Sequence, residues 1–209
     1  VLGPLIALAA QGGVSVLGPM PNTDEGLTDA LRVGRYLNEC RAAASKDSKL
    51  NFIGIMQMTE ATTEYQIDAC VADGILDAKV YPLNRTTKSH RGVYDYTKLL
   101  SVVRYAGKKG MRIHFHPEHP NLLIDNRDAE YLFIPIVEMF LRLTDAIIIW
   151  EHGTDARCIP FWEEWAKDGR FFVTLTAHHP LSNESETLGD VGAVCKPPFK
   201  REVDLAARD

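Results

Sequence analysis

The chain has 209 residues, 45% of them hydrophobic, enough for one domain over residues 1–209 with a packed core and too apolar for a disordered polymer. Its 23 basic and 28 acidic residues give a net charge of -5 without blocks of either sign. No nucleic-acid face and no polybasic membrane patch is expected, and a small molecule is the default partner.

No apolar run approaches the roughly 20 residues of a membrane span. The opening Val1-Leu-Gly-Pro lacks the basic region of a signal peptide, so a cytoplasmic protein is expected. A first residue other than Met suggests a fragment, a processed product or a sequence with missing ends. Cys40, Cys70, Cys158 and Cys195 stand far apart and form no CxxC pair, which predicts reduced, mostly buried thiols.

In chain order, Leu2–Ala10 reads as a helix, and Val14–Leu17 as the first strand. Thr23 followed by Asp24 and Glu25 predicts an N-cap opening a helix over 24–44. Strands are then predicted at Phe52–Met56, Ala78–Tyr81, Arg112–His116, Ala146–Trp150 and Phe171–Thr176. Helices are predicted between them near 61–73, 95–108, 127–143 and 155–167. Such alternation makes a parallel sheet with right-handed crossovers.

Two architectures compete, an open doubly wound sheet and a (β/α)8 barrel. The first strand runs into Pro19-Met-Pro21-Asn22 with no GxGxxG, against a dinucleotide-binding sheet. Asn22, Lys79, His116, His152, His178 and His179 gather instead at the ends of several strands, as barrel active sites do. Six strands are visible where a closed barrel has eight.

Lys79 lies inside an apolar strand, where an ammonium is costly. Such a lysine either pairs with a carboxylate or, as a neutral amine, captures CO2 as a carbamate able to bridge two metal ions. His116 and His152 each end a strand, and strands of a barrel bring such ends towards one centre, where imidazoles suit zinc. Taken alone, His114-Phe-His116 leaves open which histidine binds, because alternation puts both on one face. Thr86 and Thr87 lie in a polar loop, Asn84 to Gly92, directly after the lysine strand, placed to close over a ligand. Asn22 sits where the first strand opens into the following segment, a position suited equally to a turn former.

These motifs together resemble the class II, bacterial-type dihydroorotases of the amidohydrolase superfamily. The resemblance runs in order through Met20-Pro-Asn22-Thr, Ala78-Lys79-Val-Tyr-Pro82, Asn84 with Thr86-Thr87, Gly110-Met111 and His116-Pro-Glu118. It continues through Asn126 to Glu130, Glu151-His152-Gly-Thr154, Thr174 to His179, and Cys195-Lys-Pro197. It implies a metal-dependent hydrolase of the (β/α)8 TIM-barrel type, incomplete here, with the second to seventh strands visible. The activity implied is the interconversion of N-carbamoyl-L-aspartate and dihydroorotate in pyrimidine biosynthesis, with two Zn2+ ions per subunit bridged by a carboxylated Lys79.

In that register His116 and His152 are metal ligands, Asn22 binds the substrate carboxylate, and Thr86 and Thr87 belong to the loop that folds over it. A homodimer is a further implication. The family's His-x-His strand and its catalytic aspartate match no residue of this chain. The sequence also departs from the pattern at Thr23-Asp-Glu-Gly26 and at Pro180. A non-catalytic homologue or inactive fragment, or a hydantoinase- or allantoinase-type amidohydrolase, are the alternatives.

Overall fold

The computed structural model describes residues 2–45 and 48–206. Helix α1 (Leu2–Gln11) precedes a short strand β1 (Val16–Leu17), and α2 (Ala30–Ala43) leads to β2 (Asn51–Phe52) and β3 (Ile55–Met58). The chain continues through α3 (Glu64–Ala72), β4 (Asp77–Val80), α4 (Leu100–Lys108), β5 (Arg112–Phe115), α5 (Ile134–Leu143) and β6 (Ile147–Trp150). It ends with α6 (Ile159–Ala166), β7 (Phe171–Val173) and two short helices, α7 (Glu184–Thr187) and α8 (Glu202–Ala206). Strands β3 to β7 form one parallel sheet in sequence order, and β1 pairs in parallel with β2. Neighbours in sequence are neighbours in space, which is the winding of a barrel section.

Three expectations change, the simplest being the helix expected near 127–143, which begins only at Ile134 after a 3-10 turn at Tyr131–Phe133. The strand expected at Phe52–Met56 is two strands: Asn51 and Phe52 pair with β1, and Ile55 to Met58 pair with β4. Gly54 lies at the break, where a Cβ would sit 2.9 Å from both Ile75 and Val33, so the chain presses against α2 and the turn after α3 there. The helix expected from Thr23 starts only at Ala30, capped by Asp29, whose carboxylate accepts the Arg32 amide at 3.0 Å. Gly26 adopts φ +70°, which favours glycine, and the buried Leu27 accepts the Gln57 amide at 2.7 Å. Residues 24–28 are thus drawn onto the sheet instead of into a helix.

Alternation along each strand sorts the chemistry. Ala78, Val80, Ile113, Phe115, Ile148 and Trp150 belong to the core packed beneath the helices, while Asp77, Lys79, Arg112 and His114 alternate with them on the opposite, barrel-interior face. Phe115 stacks on Phe140 at 5.2 Å between ring centroids, and Phe133 meets both Tyr96 and Trp150 edge-on. Thr63 and Gln66 close a capping box at the start of α3. Among the described residues no helix is long and apolar enough to cross a membrane.

Truncating Phe115, fully buried at the centre of this aromatic layer, is expected to cost about 3–5 kcal/mol. Thr63→Ala, which removes only a cap, is expected to cost about 1 kcal/mol. Urea unfolding of the two variants measures the contrast.

Candidate metal centre

Lys79 projects from the middle of β4 and is 1% exposed. Its ammonium pairs with Glu151, the residue directly after β6. Burial pushes the amine below its ordinary pKa, and Glu151 offsets part of that shift. For Glu151 the balance runs the other way: burial alone would raise its carboxyl, but Lys79 and His114 hold it down at about 2.

The other Glu151 oxygen contacts His114 Nδ1 at 2.9 Å, and His114 Nε2 contacts Asp77 at 2.8 Å. Asp77 in turn accepts from Arg112 Nε at 2.7 Å and from its Nη2 at 2.5 Å. A chain of alternating charge therefore crosses the interior of β4, β5 and β6. Burial opposes a charged His114, yet the flanking carboxylates raise its pKa above the ordinary value.

His116 follows β5 and His152 follows β6, and their ring centroids lie 4.4 Å apart. Burial lowers the pKa of both well below the ordinary value, with Lys79 adding to the effect, so both imidazoles are neutral and carry a lone pair near pH 7. Glu118 lies 2.6 Å from His116 Nε2. A carboxylate there accepts the Nε2 hydrogen and leaves Nδ1 as the donor towards a metal.

His152 has φ +46°, a left-handed conformation rarely adopted outside glycine. Its amide donates to the Thr174 hydroxyl at 3.0 Å, and the Gly153 amide donates to the Thr174 carbonyl at 2.9 Å. Gly153 has no room for a side chain, since a Cβ would lie 2.6 Å from the Trp162 ring. Buried Glu130 ties the same loop together, accepting from Trp150 Nε1 at 3.2 Å, from the Thr154 amide at 2.8 Å and from the Thr154 hydroxyl.

Asn22 joins Tyr81 to Thr87, while Thr86 bonds within its own loop. The Tyr81 hydroxyl donates to Asn22 Oδ1 at 3.0 Å, and Asn22 Nδ2 donates to the Thr87 carbonyl at 2.9 Å. The loop closes on itself through Ser89, which donates to the Thr86 carbonyl at 2.6 Å and accepts the Thr86 amide at 3.0 Å. Arg85 pins it to the Ile124 carbonyl at 2.9 Å. Lys79 also lies 5.5 Å from the Tyr81 ring centroid, so Tyr81 links the loop to the lysine.

Of the two histidines in His114-Phe-His116, His114 has both nitrogens occupied by carboxylates, while His116 faces His152. Neither the partners of His114 nor the carboxylate behind His116 was legible in sequence. Glu118 stands two residues from His116, the one local signal that could have found it. His119 lies in the loop, its Nδ1 accepting the Asn121 amide at 3.2 Å.

One orphan marks what the residues would accept: His152 Nδ1 is buried with no hydrogen-bond partner. Two neutral imidazoles and a buried amine are a fitting donor set for a divalent cation once the amine is carboxylated.

A parallel barrel section that carries Lys79 on β4 and His116 and His152 just past β5 and β6 has the layout of a (β/α)8-barrel active site. Comparison with known proteins sharpens that class. No family model matches the chain. It is 29% identical over 210 residues to a probable dihydroorotase of Schizosaccharomyces pombe, which covers 99% of this chain and 60% of that protein. It is 30% identical over 199 residues to a dihydroorotase of Ectopseudomonas mendocina, covering 90% and 55%.

The crystal structure of a Saccharomyces cerevisiae dihydroorotase in complex with 5-fluoroorotic acid superposes with a TM-score of 0.90. It is 26% identical and covers 99% of this chain and 59% of that one. An L-hydantoinase of Arthrobacter aurescens shares the fold, with a TM-score of 0.82, 12% identity, and 97% and 49% coverage. The chain is thus similar to dihydroorotases along nearly its whole length, and it spans between half and two thirds of the length of the curated relatives it matches.

Glu151 carries a pH signature. Its folded pKa of about 2 lies below the ordinary 4.5, so its contribution to stability is fully present above 4.5 and is lost as pH falls towards 2. Acid unfolding curves are expected to show that loss, reduced in Glu151→Gln; an unchanged pH dependence in the variant would contradict the pairing.

Proposed function

We propose that this chain is the greater part of a zinc-dependent dihydroorotase barrel, a single domain that interconverts N-carbamoyl-L-aspartate and dihydroorotate in pyrimidine synthesis. The observation that supports the reading is the pairing of His116 with His152, their ring centroids 4.4 Å apart just past β5 and β6, on the sheet whose neighbouring strand β4 carries the buried Lys79. Lys79, carboxylated, with His116 Nδ1 and His152, would hold the metal pair. The remaining ligands in such enzymes, a His-x-His pair and an aspartate, match no residue here. Bound divalent cations would supply an activated water and polarise the ring amide carbonyl.

The chain's own residues do the rest. Burial favours the neutral Lys79 amine that carboxylation requires, and Glu151 holds the amine in place until it reacts. Glu118 fixes the tautomer and orientation of His116. Asn22 offers its amide to a substrate carboxylate, and the Thr86–Thr87 loop, anchored by Arg85 and Ser89, closes over the ring and excludes water. The partner is a small molecule in the cytoplasm, and the assembly is a homodimer.

With zinc and bicarbonate, the gene product that carries this chain is expected to consume dihydroorotate, read as falling ultraviolet absorbance. No change with dihydroorotate overturns the reading, and turnover of a hydantoin in its place redirects it to the hydantoinases. Glu118→Gln is expected to weaken zinc binding about 10–100-fold, measured by competition with a chromophoric chelator.

A further inference from the structure

The loop after β7 and the segment before α8 meet at three donors the reading above does not use. His178 and His179 follow β7, Cys195 arrives from the later segment, and a ligand atom from each lies within 4.8 Å of the others. Cys195 Sγ is 3.7 Å from His179 Nε2, and both atoms face the Pro197 carbonyl oxygen, at 3.2 Å and 3.0 Å. Zinc bonds of about 2.0–2.3 Å at tetrahedral angles separate ligand atoms by roughly 3.3–3.8 Å. The imidazole and the thiol already stand at such a spacing, and His178, exposed and with its ring 4.3 Å from that of His179, can turn to complete the set.

We propose that His178, His179 and Cys195 form a further transition-metal site, with no ligand in common with Lys79, His116 and His152, that takes Zn2+ or a cation of similar softness. Two nitrogens and one sulfur suit a borderline-soft ion and not Mg2+ or Ca2+. The Pro197 carbonyl or a water fills the fourth position. Burial holds the Cys195 thiol above its ordinary pKa, so the thiol reaches the site protonated. The cation replaces that proton, which leaves to solvent, while the neutral His179 ring shifts its hydrogen from Nε2 to Nδ1 to free the Nε2 lone pair, and no electron moves. Bound there, the ion cross-links the loop after β7 to residues 195–197. The other three cysteines are buried in the core and cannot substitute for Cys195.

The site does not depend on the chain being a dihydroorotase, and its test uses Co2+ alone, titrated into the purified chain. A thiolate-to-cobalt charge-transfer band is expected in the near ultraviolet, because among the groups named as metal donors only Cys195 is a thiol. The band should be lost in Cys195→Ser, weakened in His178→Ala and kept in a His116→Ala/His152→Ala double variant. Absence of the band in the unmodified chain, or its survival in Cys195→Ser, overturns the proposal. A second readout needs no variant: Zn2+ should protect Cys195 from a disulfide reagent, and an unchanged rate of modification with Zn2+ present also overturns it.

Discussion

Lys79 places an amine where water does not reach, and much of the barrel interior is arranged around the cost of doing so. An isolated ammonium in such a position is expensive enough that the group either loses its proton or finds a counterion. Glu151 supplies the counterion from across β5, His114 and Asp77 share the remaining charge, and Arg112 closes the chain towards solvent. A buried network of this kind is weak evidence for stability by itself, since apolar residues of equal volume would serve as well or better. Its presence on the face of the sheet that also carries His116 and His152 is what gives it chemical meaning.

In the proposed centre, β4, β5 and β6 would each add one donor by a different local device. β4 contributes Lys79 by length, since its long side chain reaches inward from mid-strand. β5 contributes His116 just past its last residue, with Glu118 orienting the ring. β6 contributes His152 through a left-handed residue held by Thr174 on one side and by the Trp162 ring against Gly153 on the other. Strain at such a residue persists only when its surroundings determine it, and the Glu130 cluster beneath the loop does so.

Sequence reading located the parallel α/β alternation and the strands bearing Lys79, His114 and Trp150, because each is a short apolar run set between segments of helical period. It set the helix before β2 too early, since Thr23 resembles a cap and only the tertiary pull on Leu27 moves the start to Ala30. It read Phe52–Met56 as one strand because nothing local marks the switch of partner at Gly54. Asn22, Lys79, His116 and His152 could be named from pattern, whereas Glu151 as partner of Lys79 lies 72 residues away, just past a strand that is not adjacent to β4. No spacing rule reaches that far. The same holds for Cys195 and His179, 16 residues apart and joined only by the path of the loop after β7.

The central claim is that three strand ends make one metal-binding point. Anomalous scattering at the zinc edge, from crystals grown with zinc and bicarbonate, tests it most directly. The account predicts a peak between His116 Nδ1 and His152, with carbamate density on Lys79 and the Lys79–Glu151 pair broken. No peak there, with Lys79 still bound to Glu151, would contradict it.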